Sequence, residues 1–193
     1  MSKKVLIING HPDPRPERFV HALAAAYADG AETGGHEVRR LSIGELDIPV
    51  LTRREDWENG PVPQPLSDAA ASIAWADHLV IVYPLWMGDV PALLKAFLEQ
   101  IGRPGVAIDK GARSLSPGLW KGKSARLVVT MGMPAFVYNW YFGAHSVKSL
   151  KRNILNFVGI SPVRSSIVGM VEGSAESRAE WLETMRALGR KAQ

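Results

Sequence analysis

The chain reads as a single α/β domain, residues 1–193, built on a five-stranded parallel sheet wound in the order 2-1-3-4-5 with helices on both faces. Three observations lead there. Strand-like and helix-like segments alternate along the chain, three of the strand candidates are apolar throughout, and the other two mix apolar with charged or polar residues. Strands covered on both faces have no polar positions to spare, whereas edge strands tolerate them. The apolar candidates therefore take the centre and the mixed ones the edges, and right-handed crossovers favour the doubly wound order.

The first strand is the apolar run Val5-Leu6-Ile7-Ile8, ending in the loop Asn9-Gly10-His11-Pro12. A helix follows from about Glu17 to Gly34, with Phe19, Leu23 and Tyr27 at four-residue steps and Gly34-Gly35 as its stop. Glu37 to Leu41 alternates apolar and charged residues, as a half-exposed strand does. Leu79 to Tyr83 is the third strand, followed by Pro84-Leu85-Trp86-Met87-Gly88-Asp89 and a helix from Pro91 to Ile101, Pro91 suiting its first turn. Leu127 to Thr130 is the fourth strand, and Val163 to Gly169, which carries Arg164 and Ser165, is the fifth.

Two connections break the alternation. Asp47 to Ser67 holds Pro49, Pro61, Pro63 and Pro65 around a charged stretch with Trp57, and reads either as a solvated loop or as a lid or partner-contacting arm. Arg103 to Lys123 is Gly- and Pro-rich and carries the same two readings.

Composition narrows the chemistry. The absence of cysteine removes disulfides, thiolate metal sites, iron-sulfur clusters and cysteine nucleophiles together. The histidines show no metal-like spacing, so no metal is expected. No apolar run reaches the roughly 18 residues of a membrane helix, and no cleavable leader precedes the first strand, so a cytoplasmic protein without membrane insertion is expected. The net charge of +4 suits anionic ligands, but the basic residues are scattered, which speaks against nucleic acid. Gly122-Lys123-Ser124 is no phosphate loop, because Pro117 stands where the first glycine belongs and a strand follows. Neither a G-x-G-x-x-G after a strand nor a G-x-S-x-G is present.

In an open parallel sheet ligands bind beyond the carboxyl ends of the strands, where the winding reverses. That gathers the loops after the first, third and fourth strands. The first leads into a helix start, whose free N–H groups favour a phosphate, with His11, Arg15 and Arg18 nearby and Asp13 and Glu17 opposing. The second offers backbone donors beside Leu85, Trp86 and Met87, suited to the edge and face of a flat heterocycle or, alternatively, to plain core packing. The third crowds Phe136, Tyr138, Trp140, Tyr141 and Phe142 ahead of His145, which suits planar substrates; His145 is either a proton donor or a structural residue at a helix start.

Taken together, Ile8-Asn9-Gly10-His11-Pro12, the run from Tyr83 to Lys95, and Thr130-Met131-Gly132 with Tyr138 and Gly143-Ala144-His145 resemble the flavodoxin-like NAD(P)H:quinone oxidoreductases. That group includes quinone reductases, drug-modulator proteins and potassium-efflux ancillary reductases, and the resemblance covers nearly the whole chain. It implies that His11, Arg18 and Phe19 border a flavin's phosphate and ribityl chain, that Pro84, Leu85, Trp86 and Met87 hold its ring, and that Thr130 and Gly132 hold the other side. Tyr138, or alternatively Tyr141, and His145 resemble the pair that steadies charge as hydride leaves or reaches the ring. The first loop departs from the family pattern, with Pro16 and Glu17 where a serine or threonine often stands.

The implied reaction is ping-pong hydride transfer from NADPH or NADH through flavin N5 to a quinone, nitroaromatic or azo compound. FMN is expected, with FAD as the alternative, since no adenine-binding segment stands out. Relatives of this kind are usually homodimers, so Trp57, Trp120 or Trp140 would contact a partner. Two rivals share the fold: a flavodoxin-type electron carrier, which the basic charge and His11-Pro12 disfavour, and a flavin-binding regulatory subunit of a membrane transporter.

Overall fold

The computed structural model describes residues 1–111 and 118–193; residues 112–117, including Pro117 and the middle of the second long connection, lie outside the described part. The elements follow as β1 (Lys4–Asn9), α1 (Phe19–Thr33), β2 (Glu37–Ser42), α2 (Arg54–Asn59), α3 (Ser67–Trp75), β3 (His78–Pro84) and α4 (Ala92–Ile101). Then come β4 (Ser124–Thr130), α5 (Ala135–Trp140), α6 (His145–Ser149) running into a π turn (Leu150–Leu155), β5 (Val163–Val168) and α7 (Ala175–Lys191).

The strands form one sheet in the order β2-β1-β3-β4-β5, every pair parallel, with Ile8 beside Ile81 and Ile81 beside Leu127. The polarity argument holds residue by residue. All of β3 is buried, while β2 and β5 keep exposed positions at the edges. Because alternate side chains point to opposite faces, Val5, Ile7, Val80, Val82 and Val128 pack under α1 and α7, around Leu23, Tyr27 and Met185. Leu6, Ile8, Leu79, Ile81, Leu127 and Val129 pack on the other face with Ile73 of α3, Phe97 of α4 and Val147 of α6.

Local differences from expectation have local causes. Helix α1 starts two residues later than Glu17, because Arg18 is still extended at ψ 128°. Pro91, likewise extended at ψ 143°, precedes α4 instead of entering its first turn. The connection from Asp47 to Ser67 is no bare loop, since it contains α2 and is pinned by Arg103. That guanidinium, itself buried, donates to the carbonyls of Asp56 at 3.2 Å, Gly60 at 2.9 Å and Pro61 at 2.5 Å, while Gln100 Nε2 reaches the Pro49 carbonyl at 2.8 Å. The lid reading therefore loses its main support.

Candidate active site

Loop β1–α1 crosses the end of β3 at Gly10, whose N–H donates to the Val82 carbonyl at 2.7 Å. A Cβ at Gly10 would stand 2.8 Å from Leu94 Cδ2 and 3.1 Å from Tyr83 Cβ, so any other residue would press Leu94 aside. Beyond it the loop folds back on itself. The Asp13 N–H donates to His11 Nδ1 at 3.0 Å, and His21 Nε2 meets the Asp13 carbonyl at 2.9 Å. His11 therefore carries its proton on Nε2 when neutral. Burial first, and then the neighbouring His21 and Arg18, lower its pKa, with Asp13 partly offsetting them, so the neutral form dominates near pH 7.

Helix α1 begins without a side-chain cap and without an acidic residue in its first turn. The His21 N–H closes on the Arg18 carbonyl at 2.9 Å, which leaves those of Phe19 and Val20 available to an anion, and the helix dipole adds to the attraction. Arg18, expected as an anion ligand, gives its Nε and Nη2 to Asp13 Oδ2 at 2.9 and 2.8 Å, and Arg15 Nη2 reaches the same oxygen at 2.6 Å. Hydrogen bonds from Arg15 and then Arg18 hold the Asp13 carboxyl well below the usual carboxylate range.

The loop after β3 is tighter than its apolar composition suggests. Trp86 and Asp89 exchange two backbone hydrogen bonds at 2.9 and 3.0 Å, and Leu85 N–H donates to the Thr130 carbonyl at 2.8 Å. The amides of Leu85 and Trp86 are therefore engaged, and those of Met87 and Gly88, at the tip, remain without a backbone partner among the described residues. Both tip residues are left-handed, Met87 at φ 49° and Gly88 at φ 80°, which costs strain only at Met87. The core-packing alternative fails for this tip: Met87 is fully exposed and Trp86 46% exposed, with its ring edge-on to His11 at 5.6 Å between centroids. Leu85 is half-buried.

The loop after β4 is stitched to the one after β5, with Met131 N–H donating to Val168, Val171 to Met131 and Met170 to Met133. Gly132 stands free of this seam, and nothing lies within 4 Å of the place its Cβ would take. Helix α5 then buries Tyr138, whose hydroxyl lies 2.6 Å from Ser146 Oγ and accepts from Val147 N–H at 3.3 Å. The expectation that Tyr138 faces the slot is corrected on this point, since its hydroxyl is occupied inside the fold. Tyr141, by contrast, is 74% exposed and packs edge-on to Phe142. Left-handed Gly143 and Ala144, at φ 59° and 49°, turn the chain so that exposed His145 opens α6.

Five of the expected cofactor residues, His11, Arg18, Phe19, Pro84 and Thr130, line one open cleft of about 680 Å³. Leu85, Trp86, Met87 and Gly132 lie on the loops beside it instead of on its wall. Sequence reasoning missed Val171, Glu172 and Arg178, which close the cleft from beyond β5. The signal was present: Ser174 caps α7 through its Oγ, 3.2 Å from the Ser177 N–H, and Arg178 lies in that helix's first turns. A second cavity of about 550 Å³ lies at the opposite rim, lined by Lys3, His78, Arg164 and Lys191, and receives none of the three loops. The uncapped helix start decides for the first. Among the described residues no His, Asp and Glu side chains cluster as metal ligands, and no helix is long and apolar enough to cross a membrane.

Comparison with known proteins places residues 3–189 in a family described as having the flavodoxin-like fold. An uncharacterized NAD(P)H oxidoreductase of Haemophilus influenzae is 29% identical over 85% of this chain and 82% of its own length. An FMN-dependent NADH:quinone oxidoreductase of Macrococcus caseolyticus is 23% identical over 97% and 98%. The match to another curated relative spans only 57% of that protein. Among solved structures, an NAD(P)H:quinone oxidoreductase from Methanothermobacter marburgensis superposes with a TM-score of 0.81 at 24% identity, covering 99% of this chain and 96% of that one.

Proposed function

The chain belongs to the flavodoxin-like fold family, and on that premise we propose that it is an FMN-dependent NAD(P)H:quinone-type oxidoreductase. The single observation that carries the reading is the cleft at the carboxyl rim, where a phosphate seat and an aromatic ledge adjoin. At one end stand the uncapped start of α1, His11 Nε2–H, Arg18 and Arg178. Beside His11 stands Trp86, edge-on at 5.6 Å between centroids, and the loop after β4 exposes the rings of Phe136, Trp140, Tyr141 and Phe142. A donor set rich in N–H groups together with flat apolar surface fits FMN, with its phosphate and its ring. The names of the Haemophilus and Macrococcus relatives support the same reading.

When bound, FMN supplies hydride acceptance from NADPH or NADH and hydride donation to a quinone, nitroaromatic or azo compound. The chain's own residues supply the setting. His11 and the α1 amides seat the phosphate, and Phe19, Pro84 and Thr130 line the path from it. Trp86 offers the ring a face, and the Met87 and Gly88 amides are donors for its polar edge. Tyr141 takes the role first given to Tyr138, holding with His145 a phenol proton and an imidazole proton beside the acceptor. The aromatic ledge excludes water from the exchange.

The exposed rings of Phe136, Trp140, Tyr141 and Phe142 support a homodimer, whose partner would cover them. The Macrococcus relative's name is also that of an NADH-dependent enzyme, which suits a cytoplasmic location. The test is direct. Purified protein should bind FMN stoichiometrically and, without oxygen, NADPH or NADH should bleach the bound FMN and a simple quinone restore it. Absence of any FMN binding at saturation overturns the reading.

A further inference from the structure

Arg18 stands at two places at once. It lines the cleft, yet the Nε–Nη2 edge of its guanidinium, the edge that grips a phosphate or carboxylate in fork fashion, is committed to Asp13 Oδ2 at 2.9 and 2.8 Å. Asp13 does not line the cleft. It is held from behind, its N–H by His11 Nδ1 and its carbonyl by His21 Nε2, and its carboxylate also binds Arg15 through Nε and Nη2. One carboxylate thus collects two guanidinium groups beside an uncapped helix start. Among the described residues no other carboxylate is ion-paired to these two guanidinium groups, while Glu17, close enough to act on Arg15, and Glu172 line the cleft.

We infer that Asp13 is a specificity-determining residue of the cleft, an internal counter-anion that competes with the ligand's phosphate for the bidentate edge of Arg18. The inference rests on the flavin reading above. A phosphate entering the helix start must draw Arg18 away from Asp13, so part of the phosphate's attraction is spent on breaking a formed ion pair. The ring makes no such demand. Asp13 therefore lowers affinity for FMN relative to riboflavin, which has the same ring and no phosphate, and keeps the site from filling with stray anions. Across the loop Arg15 and Arg18 are balanced by Asp13 and Glu17, so a phosphate is admitted by the uncapped start of α1 and by Arg178 across the cleft.

The experiment titrates FMN and riboflavin separately, following flavin fluorescence quenching at fixed salt, with wild type, Asp13→Asn, Arg18→Ala and the double variant. Wild-type binding of FMN tests the flavin reading first, and if neither flavin binds, that reading and this inference both fall. Given wild-type binding, Asp13→Asn is expected to tighten FMN about five- to tenfold and leave riboflavin unchanged. The gain should vanish in the Arg18→Ala background. Weaker or unchanged FMN binding, an equal shift for both flavins, or a gain that persists without Arg18 overturns the role of Asp13 while the flavin reading stands. Asp13→Ser, read the same way, replaces the asparagine variant if melting curves show that variant misfolded.

Discussion

Single residues at this rim divide by which of their atoms are free. Tyr138 and Tyr141 are three positions apart, yet the first is buried and hydrogen-bonded and the second is exposed, its hydroxyl without a partner among the described residues. Tyr138→Phe should leave the Ser146 hydroxyl buried and unpaired, lowering stability by about 1–3 kcal/mol in thermal or urea unfolding. Tyr141→Phe should leave the melting temperature within error and reduce turnover of a simple quinone by roughly tenfold or more. The reverse pattern would return the role to Tyr138. Either tyrosine was readable as an aromatic near His145; which one faces outward was not. That is decided where Gly143 and Ala144 turn left-handed and lay α6 over the Tyr138 hydroxyl. The strained backbone at Met87, Ala144 and Met170 recurs in the loops after β3, β4 and β5, and such strain often gathers at functional sites.

Among the elements, helices α1 and α7 meet backbone to backbone, most tightly at two glycines. A Cβ at Gly30 would stand 2.1 Å from the Arg186 carbonyl oxygen, and one at Gly189 would stand 2.2 Å from that of Tyr27. Alanine favours an isolated helix by about 1 kcal/mol over glycine. Here backbone must move apart to admit it, and that cost wins. Gly30→Ala is expected to destabilise the protein by about 2 kcal/mol net, seen as a melting temperature lower by about 4–8 °C. The strands were legible because burial on both faces demands unbroken apolar runs. Helix α7 was not, since it is amphipathic and mostly exposed, and its partner surface on α1 is alanine and glycine, which carry little periodic signal.

Across the whole molecule, the end opposite the cleft is tied through His78. Its Nδ1 lies 2.8 Å from Ser124 Oγ and its Nε2 3.2 Å from the Tyr27 hydroxyl, which joins β3 to β4 and α1. Burial first, and then the positive charges of Lys3, Arg126 and Arg164, push its pKa from 6.5 down to about 3. An unfolded chain binds the proton below pH 6.5 and the folded chain does not, so stability is full above that pH and is lost as pH falls toward 3. Unfolding free energy should drop by roughly 3 kcal/mol between pH 7 and pH 4. His78→Gln should flatten most of that slope in urea titrations, His11 retaining a share of the same sign. For the assembly, light scattering should return twice the monomer mass of 21.1 kDa, and Trp140→Glu, which places charge on the aromatic ledge, should shift the mass toward the monomer. A monomeric wild type overturns the dimer.

What the sequence determined by itself is the winding of the sheet and the identity of the three rim loops, because apolar continuity and chain order are one-dimensional facts that burial and handedness convert into topology. What only the tertiary structure decided is the state of individual polar atoms: the Arg18 edge held by Asp13, the Leu85 and Trp86 amides closed off, the Tyr138 hydroxyl turned inward, and the wall supplied by Arg178 from a distant helix. Hydrogen bonds are short-ranged and directional, so their partners are chosen only after loops far apart in the chain have met.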